Sequence, residues 1–118
     1  MSIKIGALAE EEAKNYLLSQ GLRFVASNYR SRLGEIDLIM LEKNTLVFIE
    51  VRARKSNAFG GASASVTKSK KQKIINTASH YLSINHFKET KPIRFDVIAL
   101  EGQPPQMRWI QNAFGSNF

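Results

Sequence analysis

The sequence predicts a single α/β domain in which helices cover the faces of a mixed β-sheet of four to five strands. Apolar residues recur at helical spacing twice, in residues 6–20 and from Thr67 onward. Short apolar runs typical of strands lie between and after these segments. The 118 residues can form one hydrophobic core but not two. The order helix, three strands, helix, two strands therefore predicts a layered α/β sheet.

The first helix is expected over residues 6–20, and Gly21 provides its C-terminal stop. A short strand over residues 22–28 follows, and residues 29–34 are interpreted as a polar, basic loop. Two strong strands, residues 35–41 and 46–53, are rich in Ile, Leu, Val and Phe. The four residues between these strands predict a tight hairpin turn.

The second half of the chain begins with a surface loop, predicted for residues 56–65 from its small residues and its Gly-Gly pair. Thr67 is the expected N-cap of the second helix, and lysines crowd the first turns of that helix. Positive charge there opposes the helix macrodipole, a cost that an anionic ligand would offset. Strands at residues 93–100 and 107–111 and a loose tail at 113–118 complete the prediction.

The charge balance points towards polyanions. Seventeen Lys and Arg residues against ten Asp and Glu give a formal net charge of +7, which favours nucleic acid as a partner. A merely soluble basic protein would have the same composition. The absence of cysteine excludes disulfides and thiolate metal sites, and no apolar run is long enough to span a membrane. A cytoplasmic protein that is neither exported nor inserted is expected.

Asp37 and Glu50 are the charged residues inside the two strongest strands. If Lys43 and Asn44 form the centre of the hairpin turn, paired residues have numbers that sum to 87, which places the two acids opposite each other. Like charges at that separation repel unless a cation lies between them. A change of one residue in the turn would break this register, but a diagonal placement would still leave the acids as near neighbours.

The expected ligand set is Asp37, Glu50 and the backbone carbonyl of Val51, and these hard oxygen donors suit Mg²⁺ or Mn²⁺. Strand alternation puts Glu50 and Arg52 on the same face. A buried ion pair of Arg52 with Glu50 or Asp37 is the structural alternative to a metal site.

Five blocks of sequence, in order, resemble the PD-(D/E)xK nuclease superfamily. They are Glu10, Ala13, Tyr16 and Leu17 in the first helix; residues 34–39; residues 48–52; Val66-Thr67 with Lys70; and residues 94–97. The similarity is closer still to the YraN-like proteins, relatives of archaeal Holliday junction resolvases, and covers about residues 6–100. Ala9 stands where that family usually has Gly, and Arg52 stands where the superfamily usually has Lys.

The resemblance implies a restriction-endonuclease-like fold and phosphodiester cleavage. It gives Asp37 and Glu50 the metal-ligand positions and Arg52 the position of the superfamily Lys. Arginine stays protonated, so Arg52 cannot be a general base, but it can hold a phosphate. Glu10 is an extra ligand or proton acceptor if the first helix reaches the site, and otherwise belongs to a solvated helix face.

Basic residues around these acids are the predicted phosphate contacts: Arg30, Arg32, Arg54, Lys55, Lys68, Lys70, Lys71 and Lys73. His80 and His86 are interpreted as structural or exposed. Asp96 is expected to pair with Arg94, and Trp109 and Phe24 are expected to pack in the core.

Three hypotheses follow. The first is an enzyme, a Mg²⁺- or Mn²⁺-dependent endonuclease acting on DNA, with branched or damaged DNA suggested by the resolvase relatives. The second is a DNA-binding protein with a nuclease fold and no efficient chemistry. The third is an adaptor whose buried acids pair with arginines. The resolvase relatives also suggest a homodimer, but nothing in the sequence marks a dimer face.

Overall fold

The structure, a computed structural model, describes residues 2–54, 65–85 and 91–115, with side chains from residue 6 onward. In that part of the chain, two helices and five strands are arranged as α1 (Ser2–Ser19), β1 (Arg23–Ser31), β2 (Gly34–Glu42), β3 (Thr45–Arg54), α2 (Lys68–Ile84), β4 (Ile93–Glu101) and β5 (Gln106–Phe114). The strands form one sheet in the order β1-β2-β3-β4-β5. Strands β3 and β4 are parallel, and the other neighbours are antiparallel. The predicted mixed α/β sheet is confirmed, and it is compatible with a restriction-endonuclease-like fold.

Each helix covers one face of the sheet. Helix α1 packs Ala13 and Leu17 on one face of the central strands, against a cluster that includes Ile49. Helix α2 packs Ile74 and Ala78 on the opposite face, against a cluster that includes Phe48 and Phe95. A sheet covered on both faces needs apolar residues at successive positions, which explains the apolar runs of β2, β3 and β4.

The predicted basic loop at residues 29–34 is wrong for most of its length. Strand β1 continues to Ser31, which pairs with Gly34, so only Arg32 and Leu33 form the turn. Strand β1 is an edge strand, and many of its side chains face solvent. A polar sequence is therefore compatible with backbone pairing to β2, which the local composition could not reveal.

The predicted tail also begins too early. Strand β5 extends to Phe114, whose ring is buried and stacks on Phe95 with the centroids 5.2 Å apart. Residues 116–118 lie outside the described residues. Phe24 was expected in the core but is 45% exposed, with the Lys14 ammonium 5.1 Å from its ring centroid. Trp109 is half-buried and packs against the α1-side cluster, as expected.

Helix α2 begins as predicted, because the Thr67 side chain accepts a hydrogen bond from the Lys70 backbone N–H at 3.1 Å. His80 has a structural contact, since its Nδ1 is hydrogen-bonded to the Tyr29 hydroxyl at 2.9 Å. The predicted surface loop, apart from Ser65, and His86 lie outside the described residues. Among the helices of the described residues, none is long and apolar enough to cross a membrane.

Candidate metal centre

The β2–β3 hairpin has the predicted register. Its pairs run from Glu42↔Thr45 to Leu38↔Ile49, and the numbers of each pair sum to 87. The ladder ends one residue before Asp37 and Glu50, so these two acids lie where the strands separate. Their carboxyl groups are nevertheless close enough for each to shift the pKa of the other. The prediction that the two acids are near neighbours is confirmed.

Strand β2 loses its regular alternation at Asp37. Ile36 and Ile39 both pack on the α2 side of the sheet, whereas Leu38 and Met40 pack on the α1 side. Strict alternation would put Ile36 and Leu38 on one face, so the chain changes its direction of projection around Asp37. Irregularities of this kind redirect a side chain near a strand end. Asp37 can thereby interact with groups from both helices.

Backbone and side-chain groups hold the acids in place. The Val51 N–H donates to Asp37 Oδ2 at 2.8 Å. Because the N–H and C=O of one strand residue point to the same side, the Val51 carbonyl also faces the Asp37 side of β3. Arg52 Nη1 lies 3.3 Å from Glu50 Oε2, which confirms that Glu50 and Arg52 share a face.

Two cations contact Glu50, which is only 3% exposed. Besides Arg52, the Lys70 ammonium of α2 lies 3.8 Å from Glu50 Oε2. The guanidinium of Arg52 is fixed by Ser65, because Nε donates to the Ser65 hydroxyl at 2.9 Å and Nη2 donates to its carbonyl at 3.3 Å. The Arg52–Glu50 ion pair of the structural alternative is therefore present, in the same place as the candidate metal ligands.

The two acids remain costly to ionise despite these cations. Burial, together with the neighbouring Asp37 carboxylate, raises the pKa of Glu50 from 4.5 to about 8. Burial is also the largest cause that raises the pKa of Asp37, although the Val51 N–H and Lys70 act in the opposite direction. The charged forms of both carboxyls are therefore disfavoured. Additional positive charge at this site would stabilise those charged forms.

Helix α1 does reach this site through Glu10. Burial raises the pKa of Glu10 from 4.5 to about 7, and the Asp37 charge contributes to that shift. Asp37 and Asn28, a β1 residue with a positive φ of 53°, both lie close enough to the Glu10 carboxyl to influence its pKa. Glu10 is thus a neighbour of the acid pair, whereas Glu11 and Glu12 are exposed on the same helix.

The donor chemistry fits a hard divalent cation. Asp37, Glu50 and the Val51 carbonyl supply only oxygen donors, and Mg²⁺ characteristically binds one or two carboxylates while retaining several waters. In the described part of the chain, no group of three or more His, Cys, Asp and Glu side chains is arranged as a metal cluster. Any ion held here would therefore depend on the carboxyl pair, the backbone and water.

The predicted phosphate contacts are only partly brought together. Lys70 contacts Glu50, and Arg30, Lys70 and Lys73 line a cavity of about 310 Å³ beside it. The remaining described cations are spread over the surface: Arg32 is exposed in the β1–β2 turn, Arg54 is exposed at the end of β3, Lys68 is exposed at the start of α2, and Lys71 lies 5.8 Å from the Phe114 ring centroid. Lys55 lies outside the described residues.

Sequence reasoning missed three residues that shape the site: Asn28, Ser65 and Gly34. The residue type is the one signal for Asn28, because Asn adopts a positive φ more readily than most residues. A Cβ at Gly34 would lie 2.8 Å from Thr77 Oγ1, so its role depends on the approach of α2 and has no local signal. Ser65 belongs to a segment whose composition indicates only a loop.

The comparisons with known proteins agree on one family. The family model described as "Uncharacterised protein family UPF0102" matches residues 9–100. A UPF0102 protein of Psychromonas ingrahamii is 54% identical over 110 residues, covering 92% of this chain and 88% of the relative. A UPF0102 protein of Legionella pneumophila is 51% identical over 114 residues, covering 97% of each chain.

Residues 9–100 extend from the start of the buried face of α1 almost to the end of β4, and they include Glu10, Asp37, Glu50 and Arg52. The match thus covers the whole acid pair together with the cations that surround it. The chain belongs to the UPF0102 family, whose YraN-like members the sequence resembles.

Proposed function

We propose that this protein is a divalent-metal-dependent nuclease that hydrolyses phosphodiester bonds of DNA. One observation carries the proposal: Asp37 and Glu50 are held in contact at a strand end, and burial raises the pKa of both carboxyls. Holding two mutually repelling acids together costs folding stability unless positive charge compensates them. A cation bound by the two carboxyls would supply this compensation.

Each side chain has a distinct part in this proposal. Asp37, Glu50 and the Val51 carbonyl would hold Mg²⁺ or Mn²⁺, which supplies Lewis-acid stabilisation and a more acidic water when bound. Arg52 remains protonated and is oriented by Ser65, so it can bind a non-bridging oxygen of the scissile phosphate. Glu10, in contact with Asp37, is placed to accept a proton.

Lys70 completes the cationic side of the site. Its ammonium is near Glu50 and its side chain is 37% exposed, so it can contact a phosphate that approaches from solvent. The net charge of +7 would also attract a nucleic acid at long range. The resemblance to nucleases and junction resolvases supports DNA as the substrate, and branched or damaged DNA as the preferred form.

The second candidate is a DNA-binding protein without catalysis. The observation that favours it is the pair of cations at Glu50, because Arg52 and Lys70 partly neutralise the carboxylate that a metal would need. An adaptor with a purely structural ion pair would have the same contacts and would bind neither metal nor DNA.

The test is a cleavage assay on duplex, single-stranded and four-way-junction DNA, with Mg²⁺, Mn²⁺ or a chelator. Glu50→Ala is the site variant. Glu42→Ala is the matched control, because Glu42 lies at the opposite end of the same hairpin. Thermal unfolding and DNA binding are measured for each protein. We expect metal-dependent cleavage that Glu50→Ala abolishes and Glu42→Ala retains, with DNA binding retained or strengthened in both.

Each other outcome identifies a different function. Metal-independent DNA binding without cleavage of any substrate would support the non-catalytic candidate. Absence of both DNA and metal binding, together with unfolding of Glu50→Ala, would support the structural ion pair. Asp37→Ala provides a second site variant and should lose cleavage in the same way as Glu50→Ala.

A further inference from the structure

A cationic cavity lies beside the acid pair. Its volume is about 310 Å³, and its lining residues are Arg30, Ser31, Gly34, Glu35, Lys70 and Lys73. Ligand pockets in proteins begin at about 300 Å³, so this cavity fits a single small group and not an extended ligand. It lies between the end of the β1–β2 hairpin and helix α2.

Glycine at position 34 allows this arrangement. Gly34 has a φ of +153°, and a Cβ there would lie 2.8 Å from Thr77 Oγ1 and 3.3 Å from Lys73 Cβ. Only a residue without a side chain lets the hairpin approach the helix this closely. The approach brings Arg30 and Ser31 to the same cavity as Lys70 and Lys73.

The charges of the cavity favour an anion. Three of its lining side chains are cations and one is an acid. The acid, Glu35, is already paired with Arg30, whose Nε lies 3.1 Å from Glu35 Oε2. Lys73, by contrast, has no ion-pair partner within the described residues, and it is exposed to solvent. An anion in the cavity would therefore gain a cation that no carboxylate of the described residues neutralises.

Lys70 connects this cavity to the acid pair. Its side chain lines the cavity, and its ammonium lies 3.8 Å from Glu50 Oε2. The two sites are thus separated by no more than the reach of one lysine side chain. Two sites that share one lysine side chain suit two neighbouring phosphates of one nucleic-acid strand.

We propose that this cavity is a phosphate subsite that binds the phosphate next to the scissile one on the same DNA strand. Lys73, Lys70 and Arg30 would contact its oxygens, and the Ser31 hydroxyl is placed to donate a hydrogen bond. The proposal rests on the proposed function, because it uses the acid pair as the reference for the scissile phosphate. The subsite sets the register of the strand, since such contacts position a substrate without reading its bases.

The experiment measures binding of a dye-labelled single-stranded oligonucleotide by fluorescence anisotropy, in chelator and over a range of salt concentrations. The variants are Lys73→Ala and Arg30→Ala. Arg23→Ala is the control, because Arg23 is also an exposed cation of β1 but lies at the end of the strand away from the cavity. Lys73→Ala places alanine, the best helix former, at an exposed helical position, so folding should be retained.

We expect both cavity variants to weaken binding at least fivefold and to reduce the slope of log K against log salt by about 0.7, the value for one phosphate contact on a single strand. Arg23→Ala should change affinity less than twofold. Equal effects of all three variants would overturn the proposal. Inorganic phosphate alone should bind at least tenfold more weakly than the oligonucleotide, and equal affinity would overturn the assignment to a DNA strand.

The chelator separates this proposal from the nuclease hypothesis. If the wild-type protein cleaves DNA but Lys73→Ala binds the oligonucleotide with the same affinity as Arg23→Ala, the subsite proposal is wrong and the nuclease function stands. If the wild-type protein never cleaves DNA but the cavity variants selectively lose DNA binding, the cavity is a phosphate site. Its assignment as the neighbour of a scissile phosphate is then overturned.

Discussion

Two acidic centres lie in the same sheet and differ in how their charge is compensated. Asp96 of β4 is fully buried, and its carboxylate accepts hydrogen bonds from the Arg94 guanidinium, the Trp109 indole N–H and the Asn112 backbone N–H at 2.8–3.3 Å. Asp37 and Glu50 are also largely buried, but each has the other acid as a neighbour. The cations near Glu50 lie 3.3 Å and 3.8 Å away.

The difference separates a structural acid from a candidate functional one. The Asp96 centre joins β4 to β5, and its hydrogen-bond donors contact both oxygens of one carboxylate. In the Asp37–Glu50 centre the pKa values of both acids are raised. The surrounding groups therefore do not fully compensate the negative charge of the ionised carboxyls. Perturbed titratable groups in a partly open position are typical of functional sites.

The largest expected effect is on the structural centre. Asp96→Asn removes the fully buried anion and leaves Arg94, whose side chain is 18% exposed, with Glu42 as its remaining ion-pair partner. Breaking a buried ion pair from one side costs about 3–5 kcal/mol, and we expect that loss in the free energy of unfolding measured with urea. A loss below about 1 kcal/mol would show that the hydrogen-bond network at Asp96 contributes little, and the contrast between the centres would disappear.

A smaller effect, of opposite sign, is expected for Glu50→Gln in the presence of a chelator. The pKa of Glu50 is raised from 4.5 to about 8, so the stability that its protonated form contributes is complete below pH 4.5 and is lost as the pH rises towards 8. Glutamine does not ionise. From about pH 5 to about pH 8, the unfolding free energy of Glu50→Gln should therefore gain about 1 kcal/mol or more relative to wild type.

Parallel pH profiles of the two proteins would contradict this prediction, because they would show that Glu50 ionises without cost. Urea unfolding at each pH provides the measurement. Glu101→Gln is a suitable control, since Glu101 lies at the end of β4 beside Arg108 and away from the acid pair.

The smallest effect is expected at the rim of the structural centre. Glu42 contacts Arg94 Nη1 at 2.7 Å but remains 33% exposed. Exposed ion pairs contribute only about 0.2–1 kcal/mol, so Glu42→Gln should lower the unfolding free energy by about 0.5 kcal/mol. Equal losses in Glu42→Gln and Asp96→Asn would mean that burial does not determine the strength of these contacts.

Much of the candidate site could be predicted because residues that are close in sequence determine it. The two-residue turn at Lys43 and Asn44 fixes the register of the β2–β3 hairpin, which brings Asp37 and Glu50 together. The pairing of Asp96 with Arg94 was also predictable, because residues two apart on a strand share a face. Trp109 and Asn112 as further partners of Asp96 required the pairing of β4 with β5.

The predictions that failed concern residues whose environment comes from distant parts of the chain. Residues 29–31 resemble a loop but are held in β1 by the hydrogen bonds of β2. Phe114 resembles part of a tail but is buried against Phe95. Phe24 alternates like a core residue, yet it lies exposed on an edge strand beside the Lys14 ammonium. Local periodicity indicates which side chains share a face, but not whether another element covers that face.

The sequence by itself determined the α/β class, the two helices, the register of the central hairpin and the proximity of its two acids. These properties follow from periodicity, turn length and strand alternation, which act over a few residues. Only the tertiary structure decided that Glu10 reaches Asp37, that Ser65 orients Arg52, and that Gly34 brings the hairpin against α2. Such contacts join segments that are distant in sequence, and they form because each helix must bury its apolar face against the sheet.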